Sequence, residues 1–268
     1  PPLTMLVMGK DHKLYYEAYN DATDLNQDGI VDVGYQGYHT GADIGLNVDY
    51  YGYFTSYVCY HFDVSDNRFE PASAKTAAEI AAKDKTFAGG AAGEWSGDFL
   101  NYVTTARIDA LRKVFYGGYR ETDTAGETVL QRTHIPQDAH AWGKEYKDVA
   151  RDGYDISNYT NLSLPSPNTY HIFANVSLSS TSHPYGSNSG TPRLRVLNDT
   201  THRVWEWLSK ERPVAGADCI NGLNGPTVSC EKSASSWSVV SADMFSSLTR
   251  STYDTTGSSI PGNATEYD

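Results

Sequence analysis

Residues 24–32 read DLNQDGIVD, which sets Asp24, Asn26, Asp28 and Asp32 at close intervals around Gly29. Carboxylates crowded in this way repel one another, and a hard cation relieves the repulsion. Ca2+ takes six to eight oxygen ligands, and a tight loop delivers them from alternate positions. Counted from Asp24 as position 1, Asn26 is 3, Asp28 is 5, Gly29 is 6, Ile30 is 7 and Asp32 is 9. Gly29 supplies the sharp turn. Ile30 is expected to offer its backbone carbonyl to the ion and to point its side chain into the core. Position 12, where a helix–loop–helix calcium site carries a bidentate Glu, is Tyr35 here. A closing ligand must come from elsewhere, with Asp21, Glu17 and water as candidates. The spacing predicts a structural Ca2+ clip of the weak, extracellular kind. The competing reading is an Asp/Asn turn with solvated carboxylates.

Other groupings offer less. His134, Asp138 and His140 are zinc-ligand types, but the two histidines are six apart across Pro136, so structural roles are expected. GKDH at 9–12 follows an apolar run, and no nucleophile or base pairs with it. GGAAGEWSGD lacks the Lys-Ser/Thr of a phosphate loop, and neither G-x-S-x-G nor H-E-x-x-H occurs. N-x-[ST] triplets begin at Asn158, Asn161, Asn175, Asn198 and Asn263; a Ser/Thr/Asn-rich chain produces such triplets by chance. Of the three cysteines, Cys219 and Cys230 flank a Gly/Asn/Pro-containing loop. A local disulfide there would contribute about 3 kcal/mol. Cys59 is then a buried thiol or pairs outside this segment. The alternative is three buried thiols.

The elements that must position these groups belong to a chain of 268 residues, long enough for one large domain or two small ones. Its net charge of -12 argues against nucleic acid as a partner. Abundant Tyr, Gly, Ser and Thr with few charges suggests an exported, extracellular protein. No apolar run reaches the roughly 18–20 residues of a membrane span, and no leader pattern is present. A start at Pro1 is expected of a processed chain or a fragment.

Residues 3–8 read as a buried strand, 13–20 as a second strand or extended segment, and 48–62 as sheet. Residues 75–88 suit a short helix. SGDFLNYVTTARIDALRKVFYGG is expected as one long amphipathic core helix over 95–117. Phe99, Leu100, Val103, Ala106, Ala110, Leu111, Val114 and Phe115 line its apolar face, with Ser96 at the N-cap and Gly117 as the stop. Residues 127–146 read as a short helix and a loop broken at Pro136. TYHIFANVSLSS and PRLRVLND read as two strands, and 202–213 as a short helix or strand. Residues 232–268 read as loop with one short helix at 242–248. The organisation expected is a single module of mixed α/β class over 1–268: strands and calcium loop over 1–62, core helix over 95–117, strands and short helix over 166–212, and a Ser/Thr/Gly-rich region over 232–268.

Several stretches together resemble the amino-terminal region of PilY-type proteins, the PilY1/PilC group of type IV pilus biogenesis factors and tip adhesins. They are PPLTMLVMGKDHKLYYEAYNDATDLNQDGIVDVGY, YYGYFTSYVCY, RFEPA, WSGDFLNYVTTARIDALRKVFYGGYRETD and IPQDAHAWGKEY, with RVWEWLSKERPVAG as an extension. The resemblance covers the first half best, and WSGDFLNY to LRKVFYGG is its most specific part. It implies an extracellular, pilus-associated protein, exported through the periplasm, that caps the filament on minor pilins and meets a host or abiotic surface. It also implies a von Willebrand factor A-like domain, here degenerate and with long loop insertions, and a β-propeller that does not fit in 268 residues. The D-x-S-x-S metal loop of A-like domains is absent after residues 3–8, so that metal site is not carried over.

Two functions from different classes follow. An adhesion and assembly module predicts no catalysis and calcium-linked stability. A secreted hydrolase or carbohydrate-active protein predicts a cleft with two carboxylates, Asp98 and Glu94 being the candidates. A structural subunit of an extracellular filament is a third, minor reading.

Overall fold

The computed structural model describes residue 9, residues 11–87, 94–135, 140–176 and 192–201, and the backbone of 229–233, 236–241 and 264–267. The expected strand at 3–8, residues 202–213, the helix at 242–248 and the Cys219–Cys230 pairing fall outside the described residues. Cys59 is buried and free.

A hairpin comes first. Val58–Asp63 (β1) and Arg68–Ala74 (β2) pair around a turn in which Asn67 takes φ +57°. Asp63 Oδ1 accepts from the N–H groups of Ser65 and Asp66 and so closes that turn. Ala77–Ala81 (α1) follows, capped by a reciprocal Thr76–Glu79 box. Glu94–Ser96 (β3) pairs with the other side of β1 and passes directly into Gly97–Thr104 (α2). That junction requires glycine, because a Cβ on Gly97 would lie 2.2 Å from the Thr55 carbonyl oxygen. Arg107–Tyr116 (α3) leads to the hairpin of Arg120–Asp123 (β4) and Thr128–Leu130 (β5). Trp142–Tyr146 (β6), Val149–Asp152 (α4), Tyr170–Val176 (β7) and Arg193–Thr200 (β8) come next. The strands Ser229–Ser233 (β9), Ser236–Ser241 (β10) and Ala264–Tyr267 (β11) follow. The sheets run β2-β1-β3, β11-β8-β7-β6, β4-β5 and β9-β10.

The mixed α/β class holds. Every ladder among the described residues is antiparallel, whereas crossover α/β folds build largely parallel sheets. The A-like topology is not seen in these sheets.

The single long helix is corrected to two. Thr105 and Ala106 are extended, with ψ 115° and 155°. There the chain at 16–18 takes over their hydrogen bonds: Ala18 N–H donates to Thr105 O, Arg107 N–H donates to Tyr16 O, and Glu17 bridges Ala106. β-Branched Thr104 and Thr105 resist helix only weakly, and strand pairing decides the outcome. All eight residues of α2 are buried. Val114 and Phe115, expected on the core face, are exposed on α3. Ser96 precedes α2 as expected, but its hydroxyl makes no capping bond. Strand pairing also replaces parts of the helix and loop expected over 127–146, at 128–130 and 142–146, and parts of the loop expected over 232–268, at 236–241 and 264–267. Residues 48–57 are irregular; Asn101 of α2 straps them down by donating to Tyr50 O and Phe54 O and accepting from Phe54 N–H.

Tyrosine dominates the core. Tyr35 lies within 5.2–5.6 Å, ring to ring, of Tyr50, Phe99, Tyr102, Tyr154 and Tyr159. Such rings bury large areas, provided each hydroxyl finds a partner. Tyr35 donates to Asp98, Tyr102 to Asp21 and Tyr146 to the Tyr154 carbonyl.

Buried His171 on β7 is neutral by construction. Its Nε2 donates to Ser163 O at 2.7 Å, which leaves Nδ1 to accept from Asp199 N–H at 3.2 Å. Burial holds its pKa below the ordinary 6.5. The unfolded chain therefore takes up the proton first, and stability declines as pH falls below about 6.5. Unfolding midpoints at pH 7.5 and 5.5 are expected to drop, with part of the drop removed by His171→Gln. A drop of the same size in that variant contradicts this role.

Candidate metal centre

The acidic loop folds on its own backbone. Asp24 accepts from Asp28 N–H at 3.1 Å and Gly29 N–H at 2.9 Å. Asn26 Oδ1 accepts from Asp28 N–H, and Asp28 Oδ1 from Ile30 N–H. Asp32 Oδ2 reaches back to Leu25 N–H at 2.5 Å and Asn26 N–H at 3.3 Å. Asp32 is only 5% exposed. Gly29 sits at φ +90°, where a side chain is strained. Thus Asp24, Asn26, Asp28 and Asp32 line one turn. Their carboxylate oxygens do not all lie within 4.8 Å of one another; they are turned onto the loop amides. The donor set is hard oxygen throughout and suits Ca2+. Ile30 departs from expectation. Its side chain is 69% exposed, and neighbouring Val31 and Val33 are exposed too, so the loop does not plug into the core through this residue.

Both ends of the loop are fixed to the core by buried lysines. Before it, Asp21 Oδ1 accepts from Lys144 Nζ and from Tyr102 OH, each at 3.0 Å. Lys144 also donates to Tyr19 O and lies over the Tyr102 ring. Asp21 is therefore engaged by Lys144 and Tyr102 rather than by the loop, and the Glu17 backbone is pinned to the 106–107 segment. After the loop, Tyr35 is a core anchor in place of a position-12 ligand. Its OH donates to Asp98 Oδ2 at 2.8 Å. Asp98, fully buried on α2, also accepts from Tyr50 N–H and pairs with Lys85 at 3.0 Å. Lys85, 1% exposed, donates further to Val48 O and Asp49. Burial pushes the Asp98 carboxyl above its ordinary range, and Lys85 opposes the shift. Burial would also raise Asp49, but its bonds to Lys85 and Tyr57 hold it low.

Asp98 therefore does not present a carboxylate to a cleft alongside Glu94, which sits on β3 opposite His61. His134 and His140 lie on either side of residues 136–139, and Asp138 is outside the described residues. Sequence reasoning missed Lys85 and Lys144, because nothing local marks a lysine that folds inward.

A family model described as "PilY1 homolog, small alpha/beta domain" matches residues 45–197, more than half of the chain. The chain belongs to the PilY1 homolog family. The matched domain contains Asp49, Lys85, Asp98 and Lys144, while the acidic loop lies just ahead of it. A relative from Xylella fastidiosa (strain Temecula1), named Type IV pilus biogenesis factor PilY1 homolog, is 52% identical over 226 residues. The alignment covers 84% of this chain and 14% of that protein. A second protein of the same name and organism is 39% identical over 90 residues, 32% of this chain and 7% of its own length. The chain thus spans a small part of these PilY1 homologs. No solved structure matches. No helix among the described residues is long and apolar enough to cross a membrane.

Proposed function

We propose that this chain is a calcium-clipped assembly and adhesion module of a type IV pilus biogenesis factor, working outside the cell at the pilus tip. The observation that carries the reading is its identity, over most of its length, to a relative bearing the pilus biogenesis name. Minor pilins or other pilus components are its partners, and a host or abiotic surface is the target of adhesion. Asp24, Asn26, Asp28, Asp32 and the Ile30 carbonyl would hold Ca2+, with water completing the shell. The double anchorage supports a structural role: Lys144–Asp21 and Lys85–Asp98–Tyr35 make the loop a stiff extension of α2. A rigid clip suits a protein that bears load or docks on a filament end, and no catalytic step is assigned to it.

The test uses the full-length factor carrying Asp24→Ala and Asp28→Ala. Surface pili are expected to fall several-fold while the factor is still exported, as read by immunoblot. Normal piliation and surface attachment would contradict the calcium part. Normal piliation after in-frame removal of the whole module would contradict the assembly part.

A further inference from the structure

The β2-β1-β3 sheet carries a second donor cluster, separate from the acidic loop. His61 and Asp63 are two apart on β1 and so share one face. The register sets Glu70 of β2 directly opposite His61, and Arg68 opposite Asp63. One ligand atom from each of His61, Asp63 and Glu70 lies within 4.8 Å of the other two, and no other trio of His, Cys, Asp or Glu among the described residues does this. We propose that His61, Asp63 and Glu70 bind a divalent transition metal of the zinc type.

The donor chemistry selects the ion. An imidazole with two carboxylates suits zinc and its neighbours, whereas Ca2+ and Mg2+ want oxygen alone. Tetrahedral zinc with bonds near 2.0–2.1 Å sets its ligand atoms about 3.4 Å apart. From separations of at most 4.8 Å, the trio needs to contract by no more than about 1.4 Å, which side-chain torsions on a hairpin absorb. Three protein ligands leave a fourth position open to water or to a group on a partner.

The outer contacts leave one oxygen of each carboxylate for a metal and hold the other, as outer partners of a ligand do. Asp63 commits Oδ1 to the N–H groups of Ser65 and Asp66, at 2.7 and 3.1 Å, and leaves Oδ2 for the ion. Glu70 commits Oε1 to Arg68 Nε and Nη2, at 2.9 and 2.7 Å, and leaves Oε2. No hydrogen bond to either His61 ring nitrogen is found among the described residues. Arg68 opposes a cation, but Asp66 and Glu127 also pair with it. Four carboxylates against one guanidinium leave the cluster anionic.

Zn2+ is titrated into the full chain in excess Ca2+, which occupies the acidic loop, with a chromogenic chelator as competitor. One Zn2+ per chain is expected, with affinity at least about tenfold weaker in His61→Ala and in Glu70→Gln. The rings of His12 and His140 are 6.0 Å apart and offer a rival site, so His140→Ala is the control and should bind as the wild type does. The proposal is overturned by a wild type that takes up no Zn2+, by unchanged affinity in His61→Ala, or by a loss that follows His140→Ala instead. Glu70→Gln keeps the side-chain shape, and matching unfolding midpoints without zinc separate lost ligation from lost folding.

Discussion

Replacing Lys85 with Ala is expected to destabilise the fold by about 3–5 kcal/mol, the range for breaking a buried ion pair from one side. Lys85 is 1% exposed, and its ammonium links Asp98 at 3.0 Å to Asp49 at 2.7 Å. Without it, Asp98 remains fully buried with Tyr35 OH and Tyr50 N–H as its donors. Burial already raises the Asp98 carboxyl, and losing the opposing lysine raises it further. The sign follows: the folded variant binds a proton before the unfolded chain does, so Lys85→Ala regains stability as pH falls from neutral towards the unfolded carboxylate value of about 4. Urea unfolding at pH 7.5 and 5 measures both effects. Lys85→Met combined with Asp98→Asn is expected to lose less than Lys85→Ala alone, because no unpaired buried charge remains. A loss below about 1 kcal/mol, independent of pH, contradicts the assignment of Lys85 as the counter-ion that permits this core.

Asp32→Ala is expected to be nearly as damaging, through a different link. Its buried carboxylate closes the acidic loop on Leu25 and Asn26 N–H. Charged hydrogen bonds of this kind contribute about 1.5–3 kcal/mol, and that loss should appear even in EGTA. In calcium the gap widens. Extracellular loops bind Ca2+ with Kd near 10⁻⁴–10⁻³ M, so calcium at ten to a hundred times Kd adds about 1.4–2.7 kcal/mol to the wild type. For a chain of this size that is a rise in Tm of roughly 3–10 °C. The variant should show little of it.

How much of this was legible in the sequence depends on the range of the signal. Local chemistry was legible. DLNQDGIVD forms a tight turn around Gly29, the helix expected over 75–88 is α1, and Tyr170–Val176 with Arg193–Thr200 form the expected strands. Family membership was also legible from quoted motifs. Periodicity misled where a distant segment competes for backbone bonds. The apolar spacing over 97–116 is continuous, yet the strand-like pairing of 16–18 with 105–107 splits the helix. Long-range charge pairing leaves no local trace, so nothing in the sequence sets Lys85 and Lys144 apart from other lysines. Tyr35 read only as a missing ligand, because position 12 is judged by what it could coordinate and not by the rings of Tyr50, Phe99 and Tyr159 that enclose it. The His61–Asp63–Glu70 trio had a readable signal, HFDVSDNRFE, in which a turn sequence separates two alternating runs.

The central claim is that residues 24–32 form a calcium clip, and isothermal titration with Ca2+ tests it most directly. The account predicts one Ca2+ per chain with affinity in the sub-millimolar to millimolar range, abolished in Asp28→Ala. No binding by the wild type, or equal binding by Asp28→Ala, would make DLNQDGIVD a solvated turn held by its own backbone bonds.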